Sequence, residues 1–261
     1  MTTTWTFGGT ALTTYGTITN VDDYLSTPER RGDDILVPFR HGKIFTTKYY
    51  DARKITFYMI KQAASAAALE TSINALRAKI APKTEQTLSM TMEDSTVRTI
   101  QASVNSPLQV QRETPNTARI VLEFTCASAF WRLSTVIADN TTTINANPKA
   151  MTVTNPGGVE ERDATIILTG PLSNTVITNS TNGCVLTYTG TIASPRIVTI
   201  STSATGEYTA TDDLGANKIS NITHSGASAL MVFDVGANTL SIADSTHTTG
   251  TVKVTFYAPF L

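Results

Sequence analysis

Three histidines, His41, His224 and His247, are the side chains of this sequence best suited to proton transfer or metal binding near neutral pH. Either role needs a partner within hydrogen-bond reach. Each histidine lies in a polar, turn-like stretch, and none has a second His, Cys, Asp or Glu at metal or triad spacing, so all three read as surface residues. Paired carboxylates occur at Asp22-Asp23, Asp33-Asp34, Glu160-Glu161 and Asp212-Asp213. Glycoside hydrolysis needs two carboxyl groups about 5 to 10 Å apart across one bond. Adjacent residues of a strand point to opposite faces, so these pairs read as solvated turn residues. A hydrolase would have to bring together carboxylates that are distant in sequence.

The remaining motifs are equally plain. Cys126 and Cys184 are too few for a disulfide framework or a zinc cage, and both fall within apolar alternation, as small buried hydrophobes do. Asp212-Asp213 near Gly215 and Asn217 suggests a calcium loop but lacks the alternating ligands and the distal bidentate Glu. Arg31-Gly32-Asp33 spells the integrin tripeptide, a three-residue match that chance supplies often, and it reads as a hairpin flank. Asn140-Thr141-Thr142, Asn179-Ser180-Thr181 and Asn221-Ile222-Thr223 fit the glycan-acceptor pattern, which a Thr-rich chain generates freely. Phe7-Gly8-Gly9-Thr10 has neither the glycine spacing nor the following helix of a phosphate loop. No residue is assigned to catalysis, to a cofactor or to a metal. Function is left to surfaces: binding, assembly or scaffolding.

Composition agrees with that exclusion. In 261 residues, 41% are hydrophobic and 16% charged, which is enough for one large or two ordinary cores. The net charge of -1 sets up no global field to recruit nucleic acid or an anionic membrane. The segment from Met1 to Trp5 has no basic or apolar leader, and no apolar run approaches the ~20 residues that span a bilayer. The expectation is synthesis in the cytosol and no membrane insertion. Abundant Thr shifts the class towards β.

Charge falls unevenly along the chain. Positions 1–140 hold 15 basic and 13 acidic residues, and 141–261 hold 5 and 8. The break implies two domains, 1–135 and 136–261, with a joint in the polar run between Leu133 and Thr143. In the first, Ile55, Phe57 and Met59, then Leu88, Met90 and Met92, then Ile120, Leu122, Phe124 and Cys126 alternate as half-buried strands do. Arg40-His41-Gly42-Lys43 and Glu93-Asp94-Ser95 read as hairpin connections. Leu69, Ile73, Leu76 and Ile80 recur at helical spacing and predict one amphipathic helix over Ser65 to Lys79, stopped by Pro82. The first domain is therefore α+β.

The second domain shows no helical period. Short alternating runs end in Phe256 and are separated by turn signals at Asn155-Pro156-Gly157-Gly158, Gly170-Pro171, Asn182-Gly183, Gly215-Ala216-Asn217 and Gly236-Ala237-Asn238. A β-sandwich is expected, closed by the strand Thr251 to Phe256.

The order of these pieces resembles the siphophage distal tail protein family. The resemblance rests on Phe7-Gly8-Gly9, Tyr15-Gly16, the run from Arg31-Gly32-Asp33 through Pro38-Phe39-Arg40-His41-Gly42, and the closing Val121-Leu122-Glu123-Phe124 to Phe130-Trp131. Ala129 stands where the family usually has proline. Asn155-Pro156-Gly157, Ile167 to Gly170, Leu186 to Gly190, Gly236 to Leu240 and Val254 to Tyr257 resemble its second domain. The resemblance implies a mainly β protein, with an N-terminal α+β belt domain carrying one amphipathic helix and a C-terminal galectin-like β-sandwich. It further implies a non-enzymatic virion protein at the distal end of a long non-contractile tail, forming a homo-hexamer ring. The implied partners are the tail tube protein, the tail-tip hub protein and a receptor-binding protein, with DNA passing through the lumen without sequence-specific contacts. No cofactor is implied, and the ring-interface residues are not assigned.

The alternative is a carbohydrate-binding adhesion module of the tail tip. A galectin-like fold does not by itself assign sugar binding. Sugar sites stack a ring on an exposed aromatic, and both Trp5 and Trp131 lie in the first domain. The second offers Tyr188, Tyr208, Phe233, Phe256, Tyr257 and Phe260, of which Tyr188, Phe233 and Phe256 alternate as core residues do.

Overall fold

The computed structural model describes residues 3–36, 41, 43–44, 46, 49–82, 84–137, 140–202, 208–226, 230–245 and 249–261. It divides into two compact units, Met1–Ser134 with Leu261, and Thr135–Phe260.

The first unit runs β1 (Thr4–Phe7), β2 (Thr10–Ala11), β3 (Thr17–Asp22), β4 (Arg30–Arg31), β5 (Ile35–Leu36), β6 (Lys43–Ile44), β7 (Tyr49–Tyr50), β8 (Arg53–Gln62), α1 (Ala66–Ile80), β9 (Gln86–Thr91), β10 (Val97–Ser103), β11 (Gln109–Thr114), β12 (Thr117–Cys126) and β13 (Trp131–Leu133). The main sheet has the antiparallel order β2-β1-β9-β10-β12-β8-β3, with β11 along β12 and β13 along β10. Alternating apolar residues force this pairing. In β8 and β12 every second side chain is buried, and the two strands register from Thr117 opposite Gln62 to Cys126 opposite Arg53. Leu88 and Met90 are buried in β9, which ends before Met92. Glu93-Asp94-Ser95 then turns the chain into β10, with Asp94 Oδ1 accepting from the Thr96 N–H at 2.8 Å.

Helix α1 begins one residue later than expected because Ser65 is its N-cap, its Oγ accepting from the Ala68 N–H at 3.2 Å. Leu69, Ile73 and Leu76 are buried, and Leu69 and Ile73 pack with Ala118 of β12. At the far end Lys79 Nζ donates to the Gly8 carbonyl at 2.9 Å and ties the helix to the β1–β2 turn. Gly8 has φ +52°, a left-handed conformation that glycine adopts without strain. Aromatic rings fill the sheet's core: Trp5 meets Phe57 edge to face at 4.9 Å, and Phe57 meets Phe124 in the same way at 5.4 Å.

The second unit holds β14 (Asn140–Thr143), β15 (Lys149–Asn155), β16 (Thr165–Thr169), β17 (Leu172–Asn179), β18 (Cys184–Ile192), β19 (Ile197–Thr202), β20 (Tyr208–Asp212), β21 (Ile222–Gly226), β22 (Gly236–Ala243) and β23 (Thr251–Thr255). They form two five-stranded antiparallel sheets, β14-β23-β16-β19-β20 and β15-β22-β17-β18-β21. One apolar core lies between them, including Ile166, Leu186, Tyr188, Phe233, Leu240 and Phe256. This is the expected sandwich, and the molecule is mainly β. None of the described helices is long and apolar enough to cross a membrane.

One turn signal is displaced. Gly236-Ala237-Asn238 begins β22 rather than forming a turn. Asn238 is fully buried: its Oδ1 accepts from the Asp234 N–H and from Asn179 Nδ2, and its Nδ2 donates to the Asp234 and Gly236 carbonyls. A side chain thus supplies the turn's hydrogen bonds from inside the strand, and the bend falls upstream. The proposed hairpin at Arg40-His41-Gly42-Lys43 lies partly outside the described residues, as Arg40 and Gly42 do; β5 and β6 on either side of it are paired.

Candidate functional site

Arg53 organises one surface of the first unit. It opens β8 on the face that carries Ile55, Phe57 and Met59, so the pleat directs it inward, and it is 2% exposed. Its Nε donates to the Ala129 carbonyl at 3.2 Å, and its Nη1 donates to the carbonyls of Asp23, Tyr24 and Ser26 at 2.9, 3.3 and 2.7 Å. Desolvation lowers its pKa, opposed by Cys126 and Asp23, but a guanidinium stays charged throughout the range proteins meet. Three carbonyls of the loop after β3 and that of Ala129, between β12 and β13, thus converge on one buried cation, which fixes the loop. That loop presents Leu25, 66% exposed, and walls a cavity of about 470 Å³ between residues 26–29 and 51–54. Opposite Arg53 in register stands Cys126, whose thiol burial pushes up to about 12. It is an inert core residue, as is the buried Cys184, and neither forms a disulfide.

A second feature lies on the outer face of β3, β8 and β12. A groove of about 430 Å³ is lined by Tyr58, Ile60 and Val121 with Arg119 and Asp22 at its sides. The Tyr58 hydroxyl bonds to the Asp22 carboxylate, which raises the phenol's pKa. Beside it β3 is the last strand of the sheet, and its register shifts between Ile18 and Asn20. At the other end β2 is also terminal. The unit therefore offers two different sheet edges and one half-apolar face, features that suit contact with another chain rather than chemistry.

The residues singled out for chemistry do not converge. His41 is exposed, and His247 and Asp139 of the joint lie outside the described residues. His224 departs from expectation: it sits in β21, not in a turn, and both its ring nitrogens are buried. Two of the carboxylates read as solvated are also enclosed, because they cap turns. Glu161 is 1% exposed and accepts from the Asp163 N–H. Asp212 Oδ1 accepts from the Leu214 and Ala216 N–H groups, which hold its carboxyl below the usual range, while Arg196 and Lys218 reach its Oδ2. Two cations occupy the place a calcium ion would need. Among the described residues no cluster of three or more His, Cys, Asp or Glu could hold a metal. Asn179 is fully buried, out of reach of any glycan.

Arg53 and the buried asparagines escaped sequence reasoning. The signal for Arg53 was present: it has the same parity as Ile55, Phe57 and Met59, so it had to face the core. Nothing local distinguished Asn238 from an ordinary turn asparagine.

The comparisons with known proteins follow the same division. The model of a family described as the phage tail protein RIFT-related domain matches residues 13–126. Among solved structures, the Dit protein (gp 19.1) of SPP1, presented as a paradigm of the hub adsorption apparatus in phages infecting Gram-positive bacteria, is 14% identical over 100% of both chains, with a TM-score of 0.74. A chain of the phage P2 baseplate in its activated conformation with calcium is 10% identical over 100% of both chains, with a TM-score of 0.49. No curated protein matches. The match to the phage tail protein RIFT-related domain thus falls within the first unit, and the whole chain has the fold of the SPP1 Dit protein.

Proposed function

We propose that this chain is a structural subunit of the hub at the distal end of a long non-contractile phage tail. Six copies form a ring through their first units, with the sandwich units as appendages. The ring joins the tail tube to the tail-tip hub protein, offers a platform to a receptor-binding protein, and leaves a lumen through which DNA passes without sequence-specific binding. The carrying observation is the fold shared over the full length of the SPP1 Dit protein, both units in the same order.

The physical features fit this role. A closed ring uses a heterologous interface, so each copy must present two different patches. Edges β2 and β3, the Arg53-held loop with Leu25, and the Tyr58 face supply unlike surfaces on one unit. A net charge of -1 allows copies to pack without strong mutual repulsion.

Native mass spectrometry and light scattering across micromolar concentrations, alone and with the cognate tube and tip proteins, test the reading. A six-fold mass is expected. A chain that stays monomeric and binds neither partner overturns it.

A further inference from the structure

Four strands of the sandwich end its sheets, β14 and β20 in one, β15 and β21 in the other. An edge strand presents unpaired N–H and C=O groups on which another chain can pair, and folded proteins blunt such edges by shortening, bending or covering them. Three of the four are blunted. β14 has four residues. β20 is covered by residues 216–218: the Asp212 N–H donates to the Ala216 carbonyl, and the Lys218 N–H to the Ala210 carbonyl. β21 has five residues and ends at Gly226, whose φ of +88° departs from strand geometry. β15 has none of these devices. Its seven residues pair with β22 in unbroken register, from Lys149 opposite Ile242 to Asn155 opposite Gly236, and among the described residues nothing pairs along its other side. The segments of this unit outside the described residues leave from other strands: residues 138–139 precede β14, 203–207 join β19 to β20, 227–229 follow β21, and Ser245, just before 246–248, donates its N–H to the Ser173 carbonyl of β17.

The strand is also complementary to itself. Pro148 and Pro156 bound it and cannot donate to a ladder, so an added strand finds those seven residues and no more. Ala150, Thr152 and Thr154 are exposed on its outer face, and Met151, Val153 and Asn155 are buried on its inner one. An antiparallel pairing of two copies about a two-fold axis at Thr152 uses the whole strand. It sets Thr152 opposite Thr152, Met151 opposite Val153, Ala150 opposite Thr154 and Lys149 opposite Asn155, so inner residues meet inner ones and outer residues meet outer ones. Lys149, the only charge of the strand, then faces an uncharged amide at each end. Parallel pairing would set it beside its own copy, where like charges repel.

We propose that the β15 edge is a docking site for β15 of a second copy, which joins two sandwiches through one continuous antiparallel sheet. The contact is isologous, the commonest arrangement among homo-oligomers. Neighbours in a six-fold ring are related by the ring axis and not by a two-fold, so this contact is separate from ring closure and does not rest on it.

Sedimentation equilibrium of the full chain across micromolar concentrations tests the pairing. The wild type should have twice the mass of Thr152→Lys, in which two introduced ammonium groups meet on the axis. Thr239→Lys puts the same charge on the exposed face of β22, an interior strand, and should keep the wild-type mass. A crosslink reads the register directly. Opposed residues of antiparallel strands lie about 4.5–5.5 Å apart at Cα, within disulfide reach, so mild oxidation of Thr152→Cys should join two copies while Thr239→Cys stays unjoined. The native Cys126 and Cys184 are buried and do not interfere. Equal masses of the wild type and Thr152→Lys, or crosslinking no faster in Thr152→Cys than in Thr239→Cys, overturns the proposal. Should Thr152→Lys fail to fold, the crosslink decides. A wild type that never doubles but whose β15 amides are protected from hydrogen exchange by an added tail protein gives the edge to another chain and also overturns it. A ring that never doubles and a doubled chain that forms no ring are distinguished by mass, so the two readings fail separately.

Discussion

Arg53 Nη1 donates to the carbonyl of Ser26 at 2.7 Å, joining residues 27 apart in sequence and fixing the loop after β3 to the head of β8. Its neighbouring bonds to Asp23 and Tyr24 make the loop's shape depend on one side chain. Replacing Arg53 with Met keeps the apolar stem and leaves four carbonyls unpaired. Hydrogen bonds to a buried charge are worth about 1.5–3 kcal/mol each before relaxation, so a net loss of about 3 kcal/mol is expected in urea unfolding. Arg53→Lys should recover little, because an ammonium cannot span the Ser26 and Ala129 carbonyls in one plane. A loss below about 1 kcal/mol would mean that water takes over the carbonyls.

Leu76 sits at 0% exposure on the buried face of α1. Leu76→Asp puts an unpaired carboxylate there, at a cost of several kcal/mol against a total stability of about 5–15 kcal/mol. The first unit should lose its near-ultraviolet dichroism and its cooperative melt. An Asp at the neighbouring exposed Ala75 controls for added charge and should leave both intact.

Periodicity made α1, β8, β9 and β12 legible, because each buries one stripe or one face and a single-residue slip would expose all of it. The sandwich was legible as a class from its turns and short alternating runs. Which strands pair was not, since β16 lies between β19 and β23 by contacts that only the folded chain makes. Side chains whose role is to satisfy distant backbone were the hardest to read. Asn238 serves Asp234 and Asn179, and its local sequence is that of an ordinary turn. His224 shows the same limit: its polar neighbours suggest a surface, and its place inside the sandwich edge comes from Tyr208 on the opposite sheet.

That placement has a pH consequence. Burial holds the folded pKa of His224 below its ordinary value of 6.5. The unfolded chain therefore takes up its proton first as the pH falls. The contribution is fully present above about pH 6.5 and is lost as the pH drops through the depressed folded value. Comparing unfolding midpoints of the wild type and His224→Phe from about pH 8 to pH 5 isolates it from the carboxylates. The wild type should lose stability faster below about pH 6.5, and parallel profiles would show that His224 is hydrated in the folded state.

The closing strand makes the last prediction. β23 lies between β14 and β16, and Val252 and Val254 on its inner face and Phe256 just after it are 0%, 0% and 3% exposed. Removing residues 252–261 deletes an interior strand and three core side chains worth about 2 kcal/mol each, a sum comparable to a whole domain's stability. The second unit of that truncation should not fold, as read by loss of its cooperative melt. A fragment beginning at Thr135 should fold by itself, since it keeps β14 and the Ile137 N–H bond to the Phe256 carbonyl. One beginning at Thr141 cuts β14 at the Asn140–Val254 pair and loses that bond, so its midpoint should be lower. Equal midpoints would place β14 outside the folding unit, and a non-cooperative Thr135 fragment would mean that the sandwich depends on the rest of the chain.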